Sequence, residues 1–151
     1  MSGLVSYDLF NQRTLNSKIG FTAEGGLYEV LTNNTGGSSL KGTIVIASVS
    51  VADAVDIAPA NTGMPIGVIY ENEIPNGSPV KVVIYGRAQV LLKNTLSSTI
   101  GYWCGVSDVA GRMYQSSTIP DVTQHNREIG HSLQTVSGGT NVLAYINLHF
   151  N

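Results

Sequence analysis

Three histidines, two pairs of acids, one cysteine and a few Gly-flanked serines are the side chains of this sequence that could do chemistry. His125 lies in the polar stretch from Asp121 to Glu128, His131 follows Ile129-Gly130, and His149 stands near the C-terminus. Imidazoles that converge can hold a transition metal. None of the three has a His, Asp or Glu at i+2 or i+4 in a recognisable ligand motif. The expected reading is a loop residue at His125 and an outward-facing residue at His149, with no metal and no other cofactor assigned. Asp53/Asp56 and Glu71/Glu73 could act as acid–base pairs. Glu71 and Glu73 would share one face of a strand, but they lead into Pro75-Asn76-Gly77, a turn. Cys104 beside Trp103 reads as a small buried hydrophobe, and a lone cysteine excludes an intrachain disulfide. Ser78 after Gly77 precedes a strand-like run without a following helix, unlike a nucleophile elbow. Gly36-Gly37-Ser38 lacks the Gly-Lys-Ser/Thr of a phosphate loop. No catalytic residue is assigned, and an enzyme is not expected.

The elements that would position these groups are strands. Val and Ile supply 28 residues against 12 Leu and 9 Ala, a bias toward β-branched side chains over good helix formers. A net charge of -2 with no basic run argues against nucleic acid as a partner. No apolar stretch approaches the ~20 residues of a membrane span. The N-terminus MSGLVSYDLFNQR has no basic-then-apolar layout, so synthesis without Sec export is expected. Charged residues are only 12% of the chain. Such a pale surface suggests cover by other subunits.

Residues 1–39 read as an N-terminal arm ending in a flexible hinge, Asn33-Asn34-Thr35-Gly36-Gly37-Ser38-Ser39, and residues 40–151 as the body. In the body, Thr43 to Ala47, Val80 to Tyr85 and Ala88 to Leu92 are β-rich runs, the last two flanking a bend at Gly86. Val142, Ala144, Ile146, Leu148 and Phe150 alternate with their neighbours at strand period. Asn76-Gly77, Ala110-Gly111 and Gly138-Gly139 mark turns. The best helical window, Ala52 to Ala60, reads equally well as a short strand. A weak duplication places 42–48 over 101–107 at an offset of 59, and Gly67 over Gly130 at 63. Two such copies predict an all-β, antiparallel barrel-like body that protects its edges by closure.

Two family resemblances bear on function. Tyr7-Asp8-Leu9 and Gly67-Val68-Ile69-Tyr70 are similar to two motifs of the trimeric, all-β nucleotide hydrolases of the dUTPase type. That chemistry needs an acid where Tyr70 stands, and a Gly/Arg-rich C-terminal loop where this chain has the strand Ala144 to Phe150. The stronger resemblance is to the decoration, or cement, proteins of tailed-bacteriophage capsids. It is carried by Leu40-Lys41-Gly42-Thr43-Ile44-Val45, Ala54 to Ala58, Pro65-Ile66-Gly67-Val68-Ile69, Asn76 to Val82 with Tyr85-Gly86, Ile129-Gly130 and Gly138-Gly139-Thr140. The resemblance implies a β-tulip or barrel body, a homotrimer at three-fold sites of the icosahedral head, and a non-enzymatic role. The major capsid protein would be the partner, and the outer surface of the virion the location. On this reading Leu4, Tyr7, Leu9, Phe10 and Phe21 enter apolar grooves of the capsid or of a neighbouring subunit; the alternative is that they cap the body's own core. A different reading, a head-fibre or carbohydrate-binding module, would stack sugars on Tyr102, Trp103 and Tyr114.

Overall fold

The computed structural model describes residues 18–150 and is almost entirely β. The elements are β1 (Ile19–Phe21), β2 (Gly26–Asn33), β3 (Ile44–Ala47), β4 (Ala54–Ile57), β5 (Gly67–Ile69), β6 (Pro79–Leu91), β7 (Trp103–Val106), β8 (Met113–Ser116), α1 (Val122–His125), β9 (Glu128–Ser132) and β10 (Leu143–Leu148). One sheet joins all ten strands in the order β1-β2-β4-β3-β5-β6-β10-β9-β7-β8, with β2 also paired to β6. No helix among the described residues is long and apolar enough to cross a membrane. The window Ala52 to Ala60 contains the short strand β4 and no helix, as Val55 and the following Pro59 favour.

The repeat recurs in the strand pairing and takes in more of the chain than the matched segments. Ile44↔Val68 and Val45↔Gly67 in the first half recur as Trp103↔His131 and Cys104↔Gly130 in the second, at the same offsets of 59 and 63. Hairpin β3–β4 corresponds to β7–β8. The β5–β6 pair corresponds to β9–β10. In the first half, β2 lies antiparallel to β6 and parallel to β4, which closes a ring β2-β4-β3-β5-β6. In the second half the C-terminal part of β6 takes the place of β2. It pairs antiparallel with β10 from Gly86 to Leu91, and Leu92 bridges Met113 in parallel. Strand β6 therefore completes one ring and begins the next. Gly86, at φ +84°, sits at the handover, where an added Cβ would come within 2.8 Å of the Gly25 carbonyl oxygen. The parallel pairs make the sheet mixed rather than wholly antiparallel.

Residues 19–39, expected to belong to arm and hinge, are part of this sheet and its loops. Leu31, Leu92 and their neighbours show why: Leu31-Thr32-Asn33-Asn34-Thr35 and Leu91-Leu92-Lys93-Asn94-Thr95 occupy equivalent ring positions 60 residues apart. Asn33 to Ser39 is a built turn and not a flexible hinge. Asn33 is fully buried; its Nδ2 donates to the carbonyls of Ile74 (2.8 Å) and Gly37 (3.0 Å). Its Oδ1 accepts from the backbone N–H and the hydroxyl of Thr35.

Alternation sends neighbouring residues to two apolar clusters. Val45, Val55, Ile69, Val80 and Val82 form one within the first half. Ile44, Val68 and Val83, on the opposite faces of the same strands, join Cys104, Val106, Met113, Ile129, Ile146 and Leu148. The second half thus packs against the first, and both faces of β3, β5 and the N-terminal part of β6 are covered. The expected alternation in the last strand holds: Ala144, Ile146 and Leu148 are buried, while Asn147 is exposed.

Candidate functional site

The three histidines converge on one buried carboxylate. Asp121 caps α1 by accepting from the backbone N–H groups of Thr123 and Gln124, which sets the short helix. Hydrogen bonding from the Thr123 hydroxyl and the Gln124 amide holds the Asp121 carboxyl below its ordinary pKa. The last residue of that helix, His125, brings Nδ1 to 2.9 Å from Glu128 Oε2. On the other oxygen, Glu128 Oε1 lies 3.1 Å from His149 Nε2. His149 Nε2 is in turn 3.3 Å from His131 Nδ1. The Glu128 side chain is only 1% exposed, against 37% for that of His149.

A β-bulge makes this meeting possible. Strict period-2 alternation would put Glu128 and His131 on opposite faces of β9. In the pairing with β7, however, Cys104 faces Gly130 and Gly105 faces Glu128, so Ile129 is the extra residue. Gly130 takes φ +147° there, and an added Cβ would collide with the carbonyl oxygen of Asn147. After the bulge, His131 lies opposite Trp103 on β7, with ring centroids 4.3 Å apart. His149 follows β10 directly and donates its backbone N–H to the Ile129 carbonyl, 2.9 Å away. The expected loop residue His125 stands at the end of α1, and His149, expected to face outward, is 37% exposed; both reach the same buried carboxylate. Local spacing does not mark Glu128 as a partner of the histidines. The available signal was Gly130 within a strand pattern, since an isolated strand glycine marks a bulge, and a bulge reverses the alternation.

The other candidates do structural work. Cys104 is 1% exposed, and burial pushes its thiol pKa up to about 12. Its contribution to stability is fully present below the ordinary thiol value of 9.0 and is lost as pH rises toward 12. At pH 8, Cys104 is expected to resist a disulfide reagent such as DTNB in the folded chain and to react at once in denaturant. Fast stoichiometric labelling of the native protein would contradict the burial. Glu71 Oε1 accepts from the Lys81 backbone N–H, whereas Glu73 is exposed at φ +60°, so the two do not form a facing pair on a strand. Asp56 accepts from Asn34 Nδ2 at 2.7 Å, and Asp53 is exposed. Gly67, Val68 and Ile69 are core residues of β5, and Tyr70 donates to Glu24 Oε2 at 3.0 Å. Trp103 packs on His131, and Tyr102 and Tyr114 are half-buried.

A second feature is apolar. Phe21 on β1 faces Leu27 on β2, which faces Tyr85 on β6. Phe21 and Tyr85 are 79% and 64% exposed. Of the expected contact residues, Phe21 thus stands at the exposed end of an apolar row, while Leu4, Tyr7, Leu9 and Phe10 lie outside the described residues. Val49 and Met64, also exposed, flank a groove with Ile46, Ala47 and Ile66. No protein-family model matches the chain, and no curated protein matches it.

Proposed function

We propose that the chain is a structural virion protein: a capsid decoration, or cement, protein of a tailed bacteriophage. Three copies assemble at three-fold sites on the outside of the icosahedral head. There they bridge adjacent copies of the major capsid protein against internal genome pressure. The observation that carries this reading is the pair of exposed rings Phe21 and Tyr85, aligned through half-buried Leu27, on an all-β body with only 12% charged residues. Two rings left in water on either side of β2 are surface that association would cover. Burying such a ring contributes about 1.5–3 kcal/mol. Three symmetric copies engage at once, so weak contacts sum to strong retention. The N-terminal segment bearing Leu4, Tyr7, Leu9 and Phe10 extends the same contact.

Light scattering on the eluting peak of a sizing column is expected to read three times the chain mass of 16.0 kDa. A strict monomer would overturn the proposal. Deleting residues 1–17 leaves β1 and β2 in place, so folding should be retained. Binding to expanded, undecorated phage heads should fall roughly tenfold or more. Unchanged head binding by the truncated chain, or by Phe21→Ser/Tyr85→Ser, would count against these contacts.

A further inference from the structure

We propose that Glu128 Oε1, His131 Nδ1 and His149 Nε2 form a binding site for a divalent transition metal ion, with zinc as the reference ion. The inference stands apart from the capsid reading and survives its failure. Three donor atoms, one from each residue, lie within 4.8 Å of one another. The two closest separations are 3.1 and 3.3 Å. Tetrahedral zinc with bonds of about 2.0–2.1 Å places its ligand atoms about 3.3 Å apart. Two of the three separations are therefore already near the edges of the polyhedron that the ion needs, and the third, between Glu128 and His131, lies within 4.8 Å.

The surrounding groups hold these donors in place. Trp103 packs on the His131 ring, and the bulge at Ile129-Gly130 aims it. His125 Nδ1 engages the second oxygen of Glu128, leaving Oε1 directed at His149. Partners of this kind orient metal ligands and tune their affinity. Charge points the same way. Among the described residues, the ion pairs of Glu128 are with His125 and His149, and an imidazole carries charge only when protonated. A divalent ion supplies positive charge to a buried carboxylate and two neutral imidazoles together. The partial exposure of His149 provides entry from solvent, and three protein donors leave a fourth position for water. Two nitrogens and one carboxylate select zinc, cobalt, nickel or copper over magnesium and calcium. Because the ligands come from the start of β9, its far end and the segment after β10, the ion would pin the C-terminal strand pair.

The test uses the untagged full-length chain, stripped with EDTA and dialysed, at pH 7.5. Zinc chloride titrated calorimetrically is expected to bind one per chain and raise the melting temperature; magnesium and calcium chloride should do neither. His131→Ala and His149→Ala should each weaken zinc at least about 100-fold. Imidazole-nitrogen NMR of the unaltered protein needs no variant to fold: zinc should shift His131 Nδ1 and His149 Nε2. Absence of binding at 100-fold excess zinc overturns the site. So does undiminished affinity in a folded His131→Ala/His149→Ala variant, or an NMR response that spares both rings.

Discussion

Gly130→Ala is expected to destabilise the protein by at least about 3 kcal/mol, the sum of backbone strain and a backbone collision. At φ +147° an alanine is strained, and its Cβ would overlap the Asn147 carbonyl oxygen of the neighbouring strand. Nothing flexible can move aside, because the obstacle is β10 backbone paired on both edges, with Gly130 opposite Leu148 and Ala88 opposite Ile146. Relief requires β9 and β10 to part, which uncovers Ile129, Ile146 and Leu148. For a chain of this length, 3 kcal/mol lowers the melting temperature by about 10 °C. Gly37→Ala provides the comparison, since no atom lies within 4 Å of its Cβ and its φ is not positive; its effect should be negligible. Urea unfolding of both variants measures the difference. A Gly130→Ala midpoint equal to wild type would mean that the bulge does not have this geometry. The same variant should also scatter the histidines, since the bulge is what puts Glu128 and His131 on one face.

Asn33→Ala is expected to cost about 2–4 kcal/mol, from several part-buried hydrogen bonds removed together. The side chain is a hub between two loops. Around it, Gly77 donates to the Asn33 carbonyl at 2.6 Å, and Ser39 donates its N–H to the Ile74 carbonyl at 2.9 Å. The Ser39 hydroxyl reaches the Glu71 carbonyl at 2.6 Å, and the Gly36 N–H reaches Asn76 Oδ1 at 2.8 Å. Removing the amide leaves the Ile74 carbonyl without that donor in a part-buried site. Asn33→Asp would do no better: it keeps an acceptor for Thr35 but sets a carboxylate against two carbonyl oxygens. Equilibrium unfolding should show the loss, and amide exchange at Thr35 and Gly77 should accelerate ahead of the rest of the sheet. Wild-type stability with unchanged exchange would restore the flexible-hinge description.

The two positions mark where reading along the chain stops working. Strand identity was legible, because β-branched runs with period-2 alternation have few other folds; Thr43 to Ala47 and Val142 to Phe150 both contain strands at the expected places. So was the repeat, with offsets of 59 and 63 that reappear as ladder register. Its first strand, β2, is not legible there. Gly, Asn and Ser around residue 33 read as a hinge because these residues suit turns whether or not their side chains are fastened. Only the approach of the 71–77 loop, some forty residues away in sequence, fastens them.

The histidine cluster belongs to the same class of fact. Composition and periodicity alone determined an all-β chain, poor in charge, with a duplicated body. Tertiary structure decided that β6 serves two rings, that Phe21 and Tyr85 align through Leu27, and that Glu128 meets His125 and His149, with His131 beside His149. The physical reason is that strand period is a local property of backbone sterics. A bulge, a register and a ring closure are set by which strands lie alongside, and Gly130 acquires its meaning from Asn147.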